Sequence, residues 1–578
     1  MKSLRARLVF ATGQPFSRSL FDRADLLILF VLAILIYFGV QMAVESPKVL
    51  NGPDINLSIS ALPYYALLSV GRMLAAYLLS MLFSLIYGYS AANNPHLERI
   101  LLPILDVLQS VPILSFLPIV LLGLTAVLPQ SLGVELAAII LIFTSQAWNL
   151  TYSYYQSLKM LPNELREASA VFRWNWWWRF RRMELPFAAI GLLWNSVMSW
   201  AGGWFFLMAA ETFTVGDKDF RLPGLGSFLQ EAAHTGNDGA VLAGIGTLVF
   251  VVVLLDQFIW CPLLAWSAKF KVEMVGSDNP TSSWFLSLLN RSRLATAFTR
   301  RYIVRGLNAL DKRLGGALKP GSVSENSANR HVSWVRRVLL AVVVIVAIYG
   351  ALRLGQLLFT VPLAGYGRIL TGALATALRV AVALIVAVLW TVPLGVAIGS
   401  NPRVATIFQP AVQIAASIPA TALFPVLLLV LISIPAGLNM AAVLLMLLGT
   451  QWYVLFNVIA GATAIPHDLR DTTDLLRLNR VSRWHKLILP ALFPYLITGL
   501  VTASGGAWNA SIIAEYTTFG DKTYHVTGLG SLISEATASG DYALLAASTL
   551  TMILVVVCIN RFFWRRLYRL AETKYRLE

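Results

Sequence analysis

Two stretches of this sequence match each other: LPNELREASAVFRWNWWWRFRRMELP at residues 161–186 and IPHDLRDTTDLLRLNRVSRWHKLILP at residues 465–490. Aligned without a gap at an offset of 304 residues, they share a proline, several arginines, an asparagine and a final Leu-Pro pair. Each stretch is a polar, basic island between long apolar runs. A charged island repeated at a fixed distance in an apolar chain predicts a duplicated membrane protein with two equivalent cytoplasmic loops.

The composition is typical of a protein embedded in a membrane. Hydrophobic residues make up 57% of the 578 residues and charged residues only 13%, and the mean hydropathy is +0.69. Because soluble domains carry about 25% charged residues, the sequence predicts an all-α polytopic membrane protein. The net charge of +16 comes from short loops and termini, where basic residues set membrane orientation. We therefore expect membrane lipids, and no nucleic acid, as partners.

The sequence carries no recognisable nucleotide or zinc motif. Neither the P-loop pattern GxxxxGK[ST] nor the pattern HExxH occurs. Cys261 and Cys558 both lie late in apolar runs and predict neither a disulfide framework nor a metal site. We expect no cofactor, no metal and no catalytic residue in this chain.

Twelve mostly apolar runs are long enough to cross a membrane as helices. Six centre near residues 34, 78, 114, 140, 200 and 252, and six centre near residues 344, 384, 423, 444, 505 and 555. The first run, 26–43, is too long for the apolar part of a signal peptide, so we expect it to be retained. With six spans in each half, the N-terminus, the linker and the C-terminus lie on one side. All three are basic, which predicts that this side is cytoplasmic.

The repeat divides the chain into three parts. A first unit spans 1–266 and contains the loop 162–186, a basic linker spans 267–333, and a second unit spans 334–578 and contains the loop 466–490. Because each unit has an even number of spans, both have the same orientation and are related by a pseudo-two-fold axis along the membrane normal. We expect an amphipathic surface helix in the linker around 284–310.

Each repeated loop predicts two short helices separated by a sharp turn. Pro162 and Asn163 are start signals for the first helix, with Asn163 as its cap. Asn175 and Asn479 stand where the second helix of each loop would begin, and we expect them to cap it. Such a bent pair would project side chains at helical spacing into the groove of a partner.

These loops resemble the EAA loop of bacterial ABC importer permeases. In that loop, Glu-Ala-Ala is followed by three residues, a Gly, nine residues and Ile-x-Leu-Pro. At the corresponding positions the first copy has Glu167, Ala168, Arg173, Leu185 and Pro186, and the second copy has Asp471, Arg477, Leu489 and Pro490. Arg replaces Gly in both copies. If that position needs a positive φ, Arg costs about 1 kcal/mol or more, and we expect a rearranged turn.

The resemblance covers both halves and implies a function for the chain. Each loop would form a coupling helix that fits a cleft of an ATPase subunit, so two separate ATPase subunits would dock on the cytoplasmic face. The segments AETFTVG…GLGSFL and AEYTTFG…GLGSLI are most similar to the nitrate, sulfonate and taurine branch. This similarity implies a fused permease of the bacterial inner membrane that moves a small anion delivered by a periplasmic binding protein. The segments from Gly-Asp-Lys to Gly-Leu-Gly-Ser, 216–227 and 520–531, would then form short helices on the outer face.

Two other functions remain open. Fused ABC permeases for ferric ion or thiamine also have twelve spans. Secondary transporters can likewise be built from parallel repeats, although they are expected to carry a buried ion or proton relay. No acidic pair occurs at mid-span in both halves of this sequence to form one.

Polar and aromatic residues within the spans are candidates for a translocation path. They are Gln109, Ser110, Ser145, Gln146, Trp204, Ser417, Gln451, Trp508 and Asn509. For most polar residues in spans, hydrogen bonding between helices is the commoner use. Arg72 and Arg379 could likewise attract an anion or form structural ion pairs with Glu211 and Glu515. We favour the ion pairs, because a charge within a span is usually paired.

Overall fold

The computed structural model describes residues 52–215, 218–270, 284–292, 348–401, 418–431, 433–463, 475–519 and 522–574, together with single positions elsewhere. The predicted first span of each half, near residues 34 and 344, lies almost wholly outside these residues. Most of the linker predicted at 267–333 also lies outside them, as do Ser417 and Asp471.

The first half is a series of helices interrupted by one small hairpin. Its elements are α1 Leu62–Asn93, α2 Pro95–Ser110, α3 Leu117–Val127, α4 Gln130–Lys159, α5 Asn163–Val171, α6 Trp176–Arg179, α7 Leu185–Glu211, β1 Thr214–Val215, β2 Lys218–Asp219, α8 Leu225–His234, α9 Asp238–Leu255 and α10 Cys261–Ser267. Asn94 separates α1 from α2 and caps α2, since its side chain accepts from the N–H of His96 at 2.9 Å. A bend of 84° separates α2 from α3.

The second half repeats this order after a short helix in the linker. Its elements are α11 Trp284–Arg291 in the linker, then α12 Leu363–Ser400, α13 Ala420–Leu431, α14 Gly437–Thr463, α15 Arg480–Arg483, α16 Leu489–Glu515, β3 Tyr516–Phe519, β4 Lys522–His525, α17 Leu529–Ser539, α18 Tyr542–Ile559 and α19 Arg565–Lys574. The helix α11 falls within the range predicted for an amphipathic linker helix.

The duplication read from the sequence is confirmed by the elements themselves. The helices α7 and α16 begin and end at positions that differ by the 304-residue offset, and so do α9 and α18. Even local irregularities repeat, because single π-helical turns at Phe180–Glu184 and Asp256–Trp260 recur at Trp484–Ile488 and Asn560–Trp564. In each half the three long helices pack together, α1 with α4 and α7, and α12 with α14 and α16.

Among the described residues, seven helices are long and apolar enough to cross a membrane, and the bent pair α2–α3 would make an eighth. The helix α7 is not one of the seven, although it matches α16, because its Trp, Gly, Ser and Asn residues lower its hydropathy. Leucines on one face of α1 and α12 are exposed, including Leu78, Leu82, Leu374 and Leu378. Such apolar stripes suit contact with lipid. The structure is an all-α polytopic fold of two tandem repeats, and the count of twelve spans stays a prediction.

The segments that begin with Gly-Asp-Lys differ from the prediction of short helices. They form the antiparallel hairpins β1–β2 and β3–β4, and a helix begins only after each Gly-Leu-Gly-Ser sequence starts, at Leu225 and Leu529. The Thr, Tyr and Phe residues of these segments favour strands, which explains the hairpins. We call the end of the molecule with these hairpins the hairpin face, and the opposite end, with the repeated loops, the loop face.

Candidate functional site

The first repeated loop folds as the predicted pair of short helices. After α5, the N–H of Trp174 donates to the C=O of Ser169, and the N–H of Arg173 donates to the C=O of Ala170, both at 3.0 Å. This pair of bonds ends a helix when the residue after the cap is left-handed. Arg173 occupies that position with φ of 50°.

The second loop forms the same turn. Arg477 has φ of 48°, and the N–H of Leu478 donates to the C=O of Thr473 at 3.1 Å. The expectation that Arg would rearrange the turn is therefore wrong. The hydrogen bonds of the turn hold the backbone in place, so each arginine adopts the left-handed conformation at a cost of about 1 kcal/mol.

Asparagine caps start the second short helix of each loop, as predicted. The Asn175 side chain accepts from the N–H of Trp178 at 2.9 Å, and the Asn479 side chain accepts from the N–H of Ser482 at 2.8 Å. The prediction that Asn163 is a cap is wrong, because α5 begins at Asn163 and its capping position is Pro162. Proline lacks a backbone N–H, and the capping position does not need one for the helix. The helix therefore begins one residue earlier than the asparagine suggested.

Both turns expose apolar side chains at equivalent positions. Val171 and Phe172 are 79% and 69% exposed in the first loop, and Leu475 and Leu476 are 84% and 66% exposed in the second. Glu167 is exposed on the same short helix, whereas Ala168 is half-buried. Two exposed apolar side chains beside a polar helix face, present twice, form a surface suited to a protein partner.

Each loop leads directly into a long helix. Leu185 and Pro186 are the first two residues of α7, and Leu489 and Pro490 are the first two of α16. Proline is favoured at the start of a helix because its missing N–H would have no intrahelical partner there. The Leu-Pro pair therefore fixes where the long helix begins relative to the loop.

The first loop also contacts the linker, at Asp311. The carboxylate of Asp311 accepts from the Trp177 indole N–H at 2.9 Å and pairs with Arg181. Burial acts to raise the pKa of Asp311, but the hydrogen bonds from Arg181 and Trp177 outweigh it and hold the pKa below its usual value. Val481 and His485 occupy the equivalent places in the second loop, so an identical contact cannot form there.

The favoured ion pair of Arg72 is confirmed. Its guanidinium donates to Glu211 at 2.9 Å and to Glu135 at 2.9 Å, and it also reaches the C=O of Pro223 at 2.9 Å. The Glu211 carboxylate is fully buried and further accepts from the Ser69 hydroxyl at 2.7 Å. The buried carboxylate thus accepts from an arginine and a hydroxyl, as a structural ion pair requires.

The same network occurs in the second half with two substitutions. Arg379 donates to Glu515 at 2.7 Å, and Thr376, in place of Ser69, donates to Glu515 at 2.7 Å. Asn439 takes the place of Glu135 and accepts from Arg379 at 2.8 Å. The first network thus holds two carboxylates, whereas the second holds one. Glu135 and Asn439 were not identified from the sequence, although they match at the 304-residue offset.

The glycines of Gly-Leu-Gly-Ser bring backbone against these carboxylates. The N–H of Gly226 donates to Glu211 at 2.8 Å, and the N–H of Gly530 donates to Glu515 at 2.9 Å. A Cβ at Gly224 would lie 2.3 Å from the Glu211 carboxylate, and one at Gly528 would lie 2.0 Å from that of Glu515. Only glycine therefore allows this close approach, which explains the repeated motif.

One face of α7 and the matching face of α16 lie between the two halves. We call them the central stripes. They comprise Trp194, Met198, Gly202, Phe205 and Ala209 on α7, and Thr498, Thr502, Gly506, Asn509 and Ile513 on α16. Accessibility falls along both. Trp194 is 46% exposed and Met198 40% exposed near the loop face, whereas Ala209 is buried near the hairpin face. Thr498 and Thr502 are likewise exposed, and Asn509 is buried.

The middle of each stripe contacts the opposite half. The backbone N–H of Leu114 donates to the side chain of Asn509 at 3.2 Å, and the Thr421 hydroxyl donates to the C=O of Phe205 at 3.4 Å. Leu114 and Thr421 both follow the break in the third span of their halves. The halves therefore touch at the level of Phe205 and Asn509. We interpret the exposed stripe residues nearer the loop face as lining a gap between the halves.

Beyond this level, a small cavity of about 60 Å³ remains between the halves. Both halves contribute uncharged side chains to it, at positions that are often equivalent. Its polar lining comes from Thr212, Thr214, Gln230, Thr421, Tyr516, Thr517 and Ser534. A cavity of this size holds one or two water molecules, and it extends the line of the gap toward the hairpin face.

The predicted path residues do not form one group. Asn509 lies on a central stripe, whereas Trp204 and Trp508 are fully buried in the hydrophobic core. Gln146 is buried and its amide contacts Met73 at 3.4 Å, while Ser145 bonds within its own helix. The others are placed as follows: Gln451 is buried, Gln109 is exposed near the end of α2, and Ser110 ends α2. Their role in transport stays a prediction.

This duplicated architecture matches a known family of transport proteins. The family model of the inner membrane component of binding-protein-dependent transport systems matches residues 80–259 and 391–576, once in each half. The two matches together cover more than half of the chain, so the protein belongs to this family.

The names of three relatives state what they transport. The chain is 29% identical over 182 residues to the nitrate import permease protein NrtB of Leptolyngbya laminosa, which covers 32% of this chain and 62% of that protein. It is 28% identical over 163 residues to the bicarbonate transport system permease protein CmpB of Synechococcus elongatus, 28% of this chain and 55% of that protein. It is 28% identical over 137 residues to the taurine transport system permease protein TauC of Escherichia coli, 24% and 48%. The chain thus spans less than two thirds of each relative.

Proposed function

We propose that this chain is the permease subunit of an ATP-driven importer and supplies both membrane halves of the transporter. The observation that carries the proposal is the pair of loops with equivalent left-handed turns and equivalent exposed apolar residues. Two matching surfaces on one face suit two copies of one partner. We assign them to two ATPase subunits on the cytoplasmic face. The chain would then have both termini in the cytoplasm and lie in a bacterial inner membrane.

We further propose that the cargo is a small anion delivered by a periplasmic binding protein to the hairpin face. The names of three relatives support this, since nitrate, bicarbonate and taurine all carry an anionic group. The central stripes and the cavity above them bear hydroxyl, amide and apolar groups but no charged side chain. Uncharged donors can hold an anion weakly enough for it to leave again, which a transport path requires.

The gap between the halves suggests which state of the cycle the structure represents. It is open at the loop face and closed toward the hairpin face, which corresponds to an inward-facing permease. ATP binding to the docked subunits would draw the loops together and rock one half against the other, opening the path toward the binding protein.

Reconstitution of the full importer tests this proposal. The chain would be placed in proteoliposomes with its ATPase subunits and binding protein, and uptake of labelled nitrate, bicarbonate and taurine would be measured with and without ATP. We expect ATP-dependent uptake of at least one of these anions. Uptake of ferric ion or thiamine instead, or uptake driven by an ion gradient without ATP, would overturn the proposal in favour of the two alternatives.

A pair of substitutions tests the docking surfaces. Glu167→Lys and Asp471→Lys should each lower the ATP hydrolysis that the loaded binding protein stimulates, because each places a positive charge on one docking loop. Asp238→Lys, which changes an exposed carboxylate at the hairpin end of α9, is the matched control. It should leave the ATP hydrolysis of the importer without binding protein near the wild-type level, whereas both loop variants should lower that hydrolysis as well. Full hydrolysis in both loop variants would remove the docking assignment.

A further inference from the structure

Tyr453 lies between the two central stripes. A Cβ built on Gly202 of the first half would lie 3.0 Å from the Tyr453 hydroxyl oxygen. A Cβ built on Gly506 of the second half would lie 3.6 Å from the Cε2 atom of the same ring. Gly202 and Gly506 are equivalent positions on α7 and α16. A ring that lies against both of them is therefore on the pseudo-two-fold axis that relates the halves.

The two glycines leave the space that this ring occupies. Tyr453 belongs to α14, and its hydroxyl must cross from the second half to reach Gly202. The same face of α14 contacts the first half one turn away, where a Cβ on Gly449 would lie 3.6 Å from the Phe205 ring. Tyr453 therefore stands in the gap where it narrows, between the exposed Met198 and Thr502 level and the closed Phe205 and Asn509 level.

Among the described residues, the hydroxyl group of Tyr453 has no hydrogen-bond partner. Its side chain is only half-buried although it lies among the spans. A phenol O–H is a good donor to an anion, and hydrogen bonds to charged groups are the stronger ones. An unengaged donor on the axis can bond to each anion that passes and release it afterwards.

Only the second half has a tyrosine at this position. The residue equivalent to Tyr453 is Asn149 on α4, which is also half-buried but is much shorter. Two tyrosines could not both be accommodated, because one ring already reaches the opposite helix across the axis. A single long side chain with a short counterpart is the arrangement that fits.

From this geometry we propose that Tyr453 is a specificity-determining residue that bonds the transported anion through its hydroxyl at the narrow part of the path. The inference rests on the proposed function, since it needs an anion to pass along the axis. It adds that one half, not both, supplies the donor at this level.

The test uses two variants: one lacks the hydroxyl, and the other carries the tyrosine in the first half instead of the second. In the reconstituted importer, with labelled nitrate as the probe, Tyr453→Phe should raise the apparent KM or lower the rate so that kcat/KM falls about 10-fold. Tyr77→Phe is the matched control, because the Tyr77 hydroxyl bonds Ser196 within the first half, and it should transport as the wild type does. In the exchange variant Asn149→Tyr/Tyr453→Asn, the tyrosine is supplied from the other half at the same level, and kcat/KM should recover to within about threefold of wild type.

The outcomes separate the two proposals. If the wild-type importer takes up nitrate and Tyr453→Phe equals it, the inference fails and the proposed function stands. If Tyr453→Phe is impaired but the exchange variant, eluting as a folded monodisperse complex, is no better than Tyr453→Asn alone, the hydroxyl does not act on the axis and the inference fails. If the wild type moves no nitrate, bicarbonate or taurine, both fail together.

Discussion

Arg173 and Arg477 hold a left-handed backbone conformation that glycine adopts without steric cost. The two turns are otherwise regular. The N–H of Trp174 donates to the C=O of Ser169, and the N–H of Leu478 donates to the C=O of Thr473, as expected for this turn. The strain is therefore confined to one residue per loop. It is a local property that substitution can relieve without changing the turn.

Arg173→Gly should raise the stability of the protein by about 0.5 to 1 kcal/mol. Glycine removes a steric cost of about 1–2 kcal/mol, and its greater freedom in the unfolded chain offsets part of the gain. Thermal unfolding of the detergent-purified protein, followed by tryptophan fluorescence, measures the change in Tm. Ala170→Gly in α5 is the control and should lower Tm, because glycine weakens a helix interior. A lower Tm for Arg173→Gly would mean that the arginine side chain compensates for its backbone.

At the scale of single residues, the sequence predicted the capping asparagines of the second short helices better than it predicted backbone φ angles. Asn175 and Asn479 were identified correctly, because an asparagine ahead of a helical pattern has one common use. The turn at Arg173 was not, because the identity of a residue shows its preferred φ and not the φ that neighbouring hydrogen bonds impose. Glu135 was missed because it lies near the start of its span. An acidic residue at that position does not indicate which residue it pairs with.

At the scale of elements, the ion-pair networks join helices that are far apart in the sequence. In the first half, Arg72 on α1 connects to Glu211 at the end of α7, to Glu135 on α4 and to the carbonyl of Pro223 ahead of α8. The network thus fixes the hairpin-face ends of four elements at one point. In the second half, Asn439 provides the bond that Glu135 provides in the first, without its charge.

Neutralising one partner of the pair should harm the protein more than neutralising both. Arg72→Gln leaves the buried Glu211 without its cation and should cost about 3–5 kcal/mol. Arg72→Gln/Glu211→Gln should restore expression and most of the thermal stability, measured by gel filtration and Tm in detergent. The matching double variant Arg379→Gln/Glu515→Gln should recover more fully, because Asn439 is neutral whereas Glu135 retains a charge.

A contrary result is easy to recognise. If Arg72→Gln is folded and stable but inactive, and Glu211→Gln does not restore transport, the arginine acts on the anion and not on the fold.

The order of the elements was largely predictable, and their irregular parts were not. Apolar length identifies spans because the bilayer imposes it, so α1, α4, α12, α14 and α18 follow from the sequence. The hairpins and the π-helical turns depend on contacts between elements. The hairpin β3–β4 is an example. Its strands are short, so their sequence pattern is a weak signal, and the glycine-rich motif that follows them indicates the start of a helix instead.

At the scale of the whole molecule, the two halves touch mainly at the middle and the hairpin face. The stripes on α7 and α16 are exposed toward the loop face, at Met198 and Thr502. On these two helices the sequence predicted Trp204, Trp508 and Asn509 as candidates for the path. Asn509 lies on a central stripe, whereas both tryptophans are buried in the core. Which face of a nearly uniformly apolar helix points inward is decided by contacts and not by its weak polarity pattern.

Cysteine accessibility tests the open gap. In a background with Cys261→Ser and Cys558→Ser, Thr502→Cys should react with a charged, membrane-impermeant thiol reagent supplied from the cytoplasmic side, because the gap admits water there. Ser504→Cys is the control two residues away, where the native side chain is buried, and it should react slowly. Labelling is read by mass spectrometry of the intact protein. Failure of Thr502→Cys to react would place that stripe against lipid and not in an aqueous gap.

Few direct polar bonds hold the halves together among the described residues, such as those from Leu114 to Asn509 and from Thr421 to Phe205. Two separate proteins joined by so few polar bonds would depend on apolar packing and on their concentration to stay assembled. Here both halves are parts of one chain, so each meets the other at an effective concentration that a tether commonly sets near the millimolar range. The interface therefore does not have to provide the affinity that would bring two separate proteins together. Its contacts can be weak enough to break and re-form in every transport cycle without any risk that the halves separate.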